Sequence, residues 1–254
     1  MRSLAHAFVT NGFNRALSIA RGDYIIRVDG HSEINQDFIT NCMKQFEYSD
    51  AECVGGPTNH VGSGIIGNAI TIAQSSKFGV GGVPFREGVD KGRYVDTLAF
   101  GAYKREVFEK IGGYDEELVR DQDDEFNFRL IQNGGKIWLA PSIKSTYYPR
   151  NSFLKLFKQY FQYGFYKVRV MQKRKGFSSW RHLIPGIFVL SLLLSFLSLL
   201  FSIYPWLFYI VSGSYLMANI LATFFESINF HNPTTNKTIY SFALLPTTFF
   251  TMHI

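Results

Sequence analysis

From Leu183 to Phe225 the chain carries no charged side chain. No other feature restricts its fold so strongly. At about 1.5 Å of rise per residue, Leu183 to Ile203 makes a helix of about 30 Å, the depth of a bilayer's hydrocarbon. Pro205 marks a hairpin tip, and Trp206 to Phe225 is long enough to cross back. Trp180, Tyr204, Trp206 and Tyr209 stand where an interfacial aromatic belt is expected. Two adjacent uncharged runs of about 20 residues rarely serve as a buried pair in a soluble core. The sequence therefore predicts a transmembrane helical hairpin over residues 183–225.

The charge that this run lacks is concentrated just before it. Over 254 residues the formal charge is +6, yet residues 1–149 are mildly acidic and residues 183–254 balance Lys237 against Glu226. Residues 150–182 hold nine Lys and Arg and no acid. A uniformly basic nucleic-acid-binding domain is excluded, and no nucleic-acid partner is expected. Within this block Phe153, Leu156, Phe157, Tyr160, Phe161, Gly164 and Val168 recur at helical spacing. Lys155, Lys158, Lys167, Arg169, Lys173, Arg174 and Lys175 fill other faces. Such a basic amphipathic helix lies at a membrane interface, with anionic lipid as its partner. Because the hairpin tip has no Lys or Arg, the positive-inside rule places residues 1–182 in the cytoplasm, at the inner membrane. A transporter fits poorly, since the spans carry no ionisable residue. Ile239 to Ile254 is apolar again but short and interrupted by Pro246, and reads as a third span cut short after a loop from residue 226.

The first 149 residues read as an α/β domain. Phe13, Ala16, Leu17 and Ala20 form a helical stripe that Gly22 ends, which outweighs a transit-peptide reading of the basic N-terminus. Tyr24 to Val28 is a short buried strand closed by the turn Asp29-Gly30-His31-Ser32. Asp37 to Phe46 is helical, and Glu52 to Gly56 is a second strand and turn. Residues 55–94 are glycine-rich with little periodicity. Gly79 to Pro84 lacks the strand before and helix after that a phosphate loop needs, and Pro84 to Gly88 reads as a mobile loop. Val95 to Tyr103 is strand-like, Arg105 to Ile111 helical, and Asp123 to Gln132 an acidic helix closed by Asn133-Gly134-Gly135. Lys136 to Ala140 is a strand. This alternation is the grammar of an α/β sheet. Cys42 and Cys53 have no metal-type spacing and read as reduced, buried thiols.

Two clusters could carry chemistry. Asp29 and His31, two residues apart after a strand, share one face if the segment is extended. A carboxylate and an imidazole suit a divalent cation, Mn²⁺ more readily than Mg²⁺. The other reading is a plain turn with a loop histidine. Asp121, Asp123, Asp124 and Glu125 crowd four acids into five residues, where repulsion raises a pKa and a positioned carboxylate can act as a general base. The other reading is a solvated helix N-terminus, where the dipole favours acids.

Read together, three segments resemble family 2 glycosyltransferases. Ala16-Leu17-Ser18-Ile19-Ala20-Arg21-Gly22-Asp23-Tyr24-Ile25-Ile26-Arg27-Val28-Asp29-Gly30-His31 resembles the stretch ending in that family's Asp-x-Asp-type metal motif. Phe100 to Glu116 is similar to the stretch before its catalytic acid. Asp123-Asp124-Glu125-Phe126-Asn127-Phe128-Arg129-Leu130 resembles its Glu-Asp-x-Asp-Leu-x-x-Arg-Leu pattern. Order and spacing agree across residues 10–165. The Asp-x-His variant, the Val95-Asp96-Thr97 lead-in and the trailing spans are most similar to membrane-bound glucosyltransferases of succinoglycan-type exopolysaccharide synthesis.

The resemblance implies an incomplete GT-A domain followed by a transmembrane hairpin, and transfer of a sugar with inversion, glucose first among donors. Asp29 and His31 would hold Mn²⁺ or Mg²⁺ on the diphosphate of a nucleotide sugar, a UDP-sugar by resemblance. Asp123 would take the proton of an acceptor hydroxyl on a lipid-linked or glycan acceptor. Asp96 and Gly101 would bind substrate. Gln159 and Tyr163 occupy the place of the Gln-x-x-Arg-Trp motif, without its Arg and Trp, and position 122 carries Gln where Glu is usual. Family members carry further strands and a uracil-reading Asp ahead of the point where this sequence starts. The expected domain layout is a partial GT-A domain at 1–149, an interfacial helix at 150–182, the hairpin at 183–225, and a loop with a clipped apolar segment at 226–254. A sheet missing those strands has an unpaired edge, and such a fragment should bind nucleotide poorly. The alternative is a catalytically dead membrane protein that binds anionic lipid or a partner through its basic helix.

Overall fold

The computed structural model describes residues 9–176, 180–229 and 239–254. The first residues of the predicted N-terminal helix, part of the basic block and most of the loop after residue 226 lie outside the described residues. The chain runs α1 (Val9–Ile19), β1 (Tyr24–Ile26), β2 (Ser32–Ile34), α2 (Phe38–Tyr48), β3 (Cys53–Gly55), β4 (Thr58–His60), α3 (Gly64–Ser75), α4 (Lys77–Val80) and α5 (Pro84–Glu87). It continues through β5 (Arg93–Val95), β6 (Ala102–Lys104), α6 (Arg105–Ile111), α7 (Gln122–Gln132), β7 (Ile137–Leu139), β8 (Ser145–Tyr147) and α8 (Phe153–Arg174). After a 3-10 turn at Trp180–His182 come α9 (Ile184–Leu200), α10 (Trp206–Asn229), α11 (Ile239–Ala243) and α12 (Leu245–His253). The residues sort into two compact units, one of 1–59, 84–147 and 165–178, the other of 60–83, 148–164 and 179–254.

The first unit is the mixed α/β layer that the alternation predicts. Its five-stranded sheet has the order β1-β6-β3-β7-β5, and a three-stranded sheet has the order β2-β8-β4. β6 runs antiparallel to both β1 and β3, whereas β3 and β7 are parallel, with Cys53 opposite Ile137. Successive strand residues point to opposite faces. Cys53 and Tyr103 therefore join Phe108, Tyr114, Phe126 and Leu130 on one face, with Phe13 and Leu17 of α1 packed over them. Val54 and Ala102 join Phe38 and Cys42 of α2 on the other. Both thiols are free and buried, as expected of reduced cysteines. Gly56 permits this packing, because a Cβ there would sit 1.6 Å from the carbonyl oxygen of Ile143. β1 and β5 form the two edges of this sheet.

Two stretches differ from the sequence reading. Val95 to Tyr103 is not one strand: β5 pairs with β7, β6 lies between β1 and β3, and the chain between them turns through a left-handed Phe100 (φ 52°). An extended strand cannot pass through that conformation. Residues 55–94 hold more structure than their composition suggests. α3 is twelve residues long, with Gly67 through Gln74 buried. A helix covered on all sides has no polar face, so it shows no amphipathic period. Pro84 to Glu87 forms a single helical turn, α5, with proline first, where its missing N–H costs nothing; Phe85 and Val89 pack against the core. Gly79 lies within α4, which follows α3 directly.

In the second unit α3 packs with α12, where Leu245 and Phe249 are fully buried beside Ile70 and Ile72. Pro246 sits in the first turn of α12, a position that suits proline, so that stretch is helical. α9 and α10 pair about the Pro205 tip, where Ser198 Oγ accepts from Tyr204 N at 3.1 Å. α9, at 17 residues, reaches only about 26 Å. The 24 residues of α10 are long and apolar enough to cross a membrane.

Candidate active site

The strand β1 ends at Ile26, and the chain then folds into a tight turn. Both the backbone N–H and the hydroxyl of Ser32 donate to the Asp29 carbonyl, at 3.0 and 2.6 Å. Gly30 and Ser32 favour this turn over extension. Asp29 and His31 therefore share a turn rather than one face of a strand. The His31 ring lies edge-on to Tyr147 with centroids 5.0 Å apart. The Asp29 carboxylate is gripped by Arg27 through Nε at 2.8 Å and Nη2 at 3.1 Å. The same guanidinium lies over the Tyr114 ring, 5.6 Å from its centroid. Burial works against the charge on Arg27, yet the neighbouring Asp123, Tyr114 and Asp29 outweigh it and push its pKa up. Arg27 thus links the proposed metal carboxylate to the proposed base, although its identity suggested neither role.

The acidic run occupies the start of α7, and the fold gives each acid a different environment. Asp121 caps the helix in the left-handed conformation (φ 57°), and its buried Oδ2 has no hydrogen-bond partner. Burial, reinforced by Asp124 and Asp123 against the pull of Lys167, pushes this carboxyl up to about 7. Asp123 is half-buried, with Oδ1 accepting from the N–H of Asp124 at 3.0 Å. Asp124 pairs with Lys167 of α8 at 2.6 Å. Glu125 is fully buried and accepts from Arg129 at 2.6 and 3.0 Å and also from Arg174. Arg129 in turn donates to the carbonyls of Ile111 and Gly113. The cluster is a braced helix start, not a solvated one: Asp124 and Glu125 are held by direct ion pairs, and Asp123 is half-buried beside them.

Asp96 is half-buried at the end of β5, and Gly101 leads into β6. A Cβ at Gly101 would meet Cys53 Sγ at 2.7 Å, so packing alone requires glycine there. Next to Asp96, buried Thr97 accepts from Asn127 of α7 at 3.1 Å, and Asn127 accepts from the Tyr103 hydroxyl at 2.8 Å. These bonds fix the 96–101 loop to the helix that carries Asp123. Burial pushes the phenols of Tyr103 and Tyr114 up, which keeps them as protonated donors. Gln159 and Tyr163 are one turn apart on α8 and bonded to each other at 2.8 Å; they belong to the second unit.

A carboxylate and an imidazole on one turn are a donor pair that a divalent cation accepts. Among the described residues no group of three or more His, Cys, Asp and Glu side chains is gathered to hold a metal. Asp29 and His31 are two such donors on one turn, with Asp29 held by Arg27.

Comparison with known proteins agrees with the class that this α/β layer and its turn suggest. Residues 8–112 match the Glycosyl transferase family 2 domain, a span that includes Asp29, His31, Asp96 and Gly101 and stops before Asp123. The chain is 31% identical over 174 residues to the succinoglycan biosynthesis protein ExoA of Rhizobium meliloti, covering 68% of this chain and 52% of that one. It is 29% identical over 187 residues to a Methanococcus voltae dolichyl N-acetyl-alpha-D-glucosaminyl phosphate 3-beta-D-2,3-diacetamido-2,3-dideoxy-beta-D-glucuronosyltransferase, covering 71% and 57%. The mannosyltransferase PcManGT from Pyrobaculum calidifontis, solved with GDP-Man and Mn²⁺, aligns with a TM-score of 0.49 at 14% identity over 99% of this chain and 66% of that one. S. aureus TarS aligns with a TM-score of 0.40 at 13% identity, over 64% and 46%. The family 2 match thus lies in residues 8–112, and the chain is homologous to these two biosynthetic proteins over about two thirds of its length. It spans about half the length of the curated relatives it matches.

Proposed function

We propose that this chain is the catalytic part of an inverting glycosyltransferase, which moves a sugar, glucose by preference, from a UDP-sugar to a lipid-linked or glycan acceptor at the inner membrane. The observation that supports the reading is the turn of Asp29 and His31, gripped by Arg27, inside the stretch that matches the family 2 domain. Asp123 takes the proton from the acceptor hydroxyl as its oxygen attacks the anomeric carbon. The bond to the nucleoside diphosphate breaks on the opposite face, so the configuration inverts. Asp29 and His31 would hold the divalent cation, which would supply positive charge to offset the negative charge developing on the departing diphosphate. The Thr97–Asn127–Tyr103 bonds hold α7 and the Asp96 loop in fixed relation, so that base and substrate keep their register.

Attachment to a membrane is supported by α10, of which only 6% of the most apolar window is buried. Ile187, Leu190, Leu194 and Leu197 of α9 are likewise exposed. Apolar helices bare to this degree suit lipid and not water. The cytoplasmic side follows from the basic block.

Asp123→Asn tests the reading. Transfer of labelled glucose from UDP-glucose to a lipid-extractable acceptor should fall about 10²–10⁴-fold, the range for loss of a general base. Retention of the variant in the membrane fraction is expected. Transfer unchanged by the substitution would overturn the assignment and favour a catalytically dead, lipid-binding protein.

A further inference from the structure

We propose that Arg27 gates the cation site: its guanidinium holds Asp29 in the donor-free protein and releases that carboxylate only when a diphosphate arrives to receive the guanidinium. The inference rests on reading Asp29 and His31 as ligands of a divalent cation, and goes beyond it by naming what controls the site.

Both oxygens of Asp29 are taken by the Arg27 fork, at 2.8 and 3.1 Å. The pair is largely withdrawn from water, with Arg27 14% and Asp29 26% exposed. A bidentate, partly desolvated Arg–carboxylate contact is among the strongest that side chains make. The guanidinium is also held from below. It lies over Tyr114, whose ring stacks on Phe13 at 4.3 Å and whose backbone exchanges hydrogen bonds with Asn14 at 2.8 and 2.9 Å.

A divalent cation approaching Asp29 must displace this fork, and would then sit beside a guanidinium with too few anions to balance both. A diphosphate removes the obstacle. It brings the missing negative charge, and its oxygens match the planar fork of arginine. Cation and diphosphate should therefore bind with mutual reinforcement, because each relieves what opposes the other. By thermodynamic linkage that reinforcement is reciprocal.

The test is Mn²⁺ binding to the full chain in detergent, followed by the electron paramagnetic resonance signal of free Mn²⁺, first alone and then with UDP. Arg27→Met should tighten Mn²⁺ binding in the absence of nucleotide by about tenfold or more, since it deletes the competitor. UDP should strengthen Mn²⁺ binding to the native protein more than to this variant. Arg27→Lys, which keeps one charge without the fork and is the milder change for folding, should show part of the gain. Asp29→Asn should abolish it in every background. Equal Mn²⁺ affinity and equal UDP coupling in native protein and both Arg27 variants overturn the inference alone. Absence of Mn²⁺ binding by all of them, with and without UDP, overturns the cation reading of Asp29 and His31 and the inference with it.

Discussion

Asp121 and Asp123 are two residues apart, yet the fold treats them oppositely. Asp123 stands half-buried in the first turn of α7. Asp121 is turned inward by a left-handed backbone, with one oxygen unpaired, and burial pushes its carboxyl up to about 7. A free aspartate titrates near 3.9, so between about pH 4 and pH 7 the native state binds more protons here than the unfolded chain does. This group's contribution is therefore fully present below about pH 4 and lost as pH rises through 7. Asp121→Asn, neutral throughout, should flatten the decline of the melting temperature between pH 5 and pH 8. Identical pH profiles for the variant and the native protein, measured by scanning fluorimetry, would contradict that assignment. The acid cluster was legible in the sequence, but which of its members is buried was not, because crowding in one dimension does not say which way each side chain turns.

At the scale of the element, α8 is where sequence and structure differ most usefully. The apolar positions of residues 150–182 read as one stripe, but they divide into two. Leu156 and Val170 are buried, while Leu154, Phe157, Phe161, Phe165 and Val168 are exposed. The cations divide as well. Lys167, Lys173 and Arg174 pair with Asp124, Asp115, Glu117 and Glu125 of the first unit. Lys155, Lys158, Arg169 and Lys175 stay exposed. The basic block is therefore partly an internal counter-charge, and only its exposed half is available to lipid phosphate. In proteoliposomes, nitroxides at Phe161→Cys and Phe165→Cys should meet oxygen more often than a water-soluble nickel chelate. Labels at Lys158→Cys and Arg169→Cys should be less protected from the chelate. Equal chelate access at all four positions would remove α8 from the membrane surface.

For the molecule as a whole, the second unit shows how much of the fold depends on distant segments. α3 supplies Ile70 and Ile72 to a core that the end of the chain completes with Leu245, Phe249 and Met252. Phe249 is fully buried, and a Cβ at Gly79 would lie 3.2 Å from its ring. Phe249→Ala should therefore cost about 3–5 kcal/mol in that unit, the range for emptying a buried aromatic site. A lowered denaturation midpoint in detergent checks this. An unchanged midpoint would mean that α12 contributes no core.

The sequence by itself determined the elements whose signals are local. Spacing set α1 and α7, Gly22 and Gly134 punctuated them, and the uncharged run announced α9 and α10. The residues that resemble family 2 motifs were legible for the same reason, since Asp29, His31 and Asp123 sit at fixed distances along the chain. Only the tertiary structure decided what surrounds them. Arg27 grips Asp29 from two residues away, and the turn that Ser32 closes onto Asp29 carries His31 beside Tyr147. Asn127 ties the Asp96 loop to α7 across 30 residues of sequence. α3 is a helix because segments more than 150 residues away cover it, and no local pattern encodes that cover. Periodicity reports which face is apolar, but burial depends on what arrives from elsewhere in the chain.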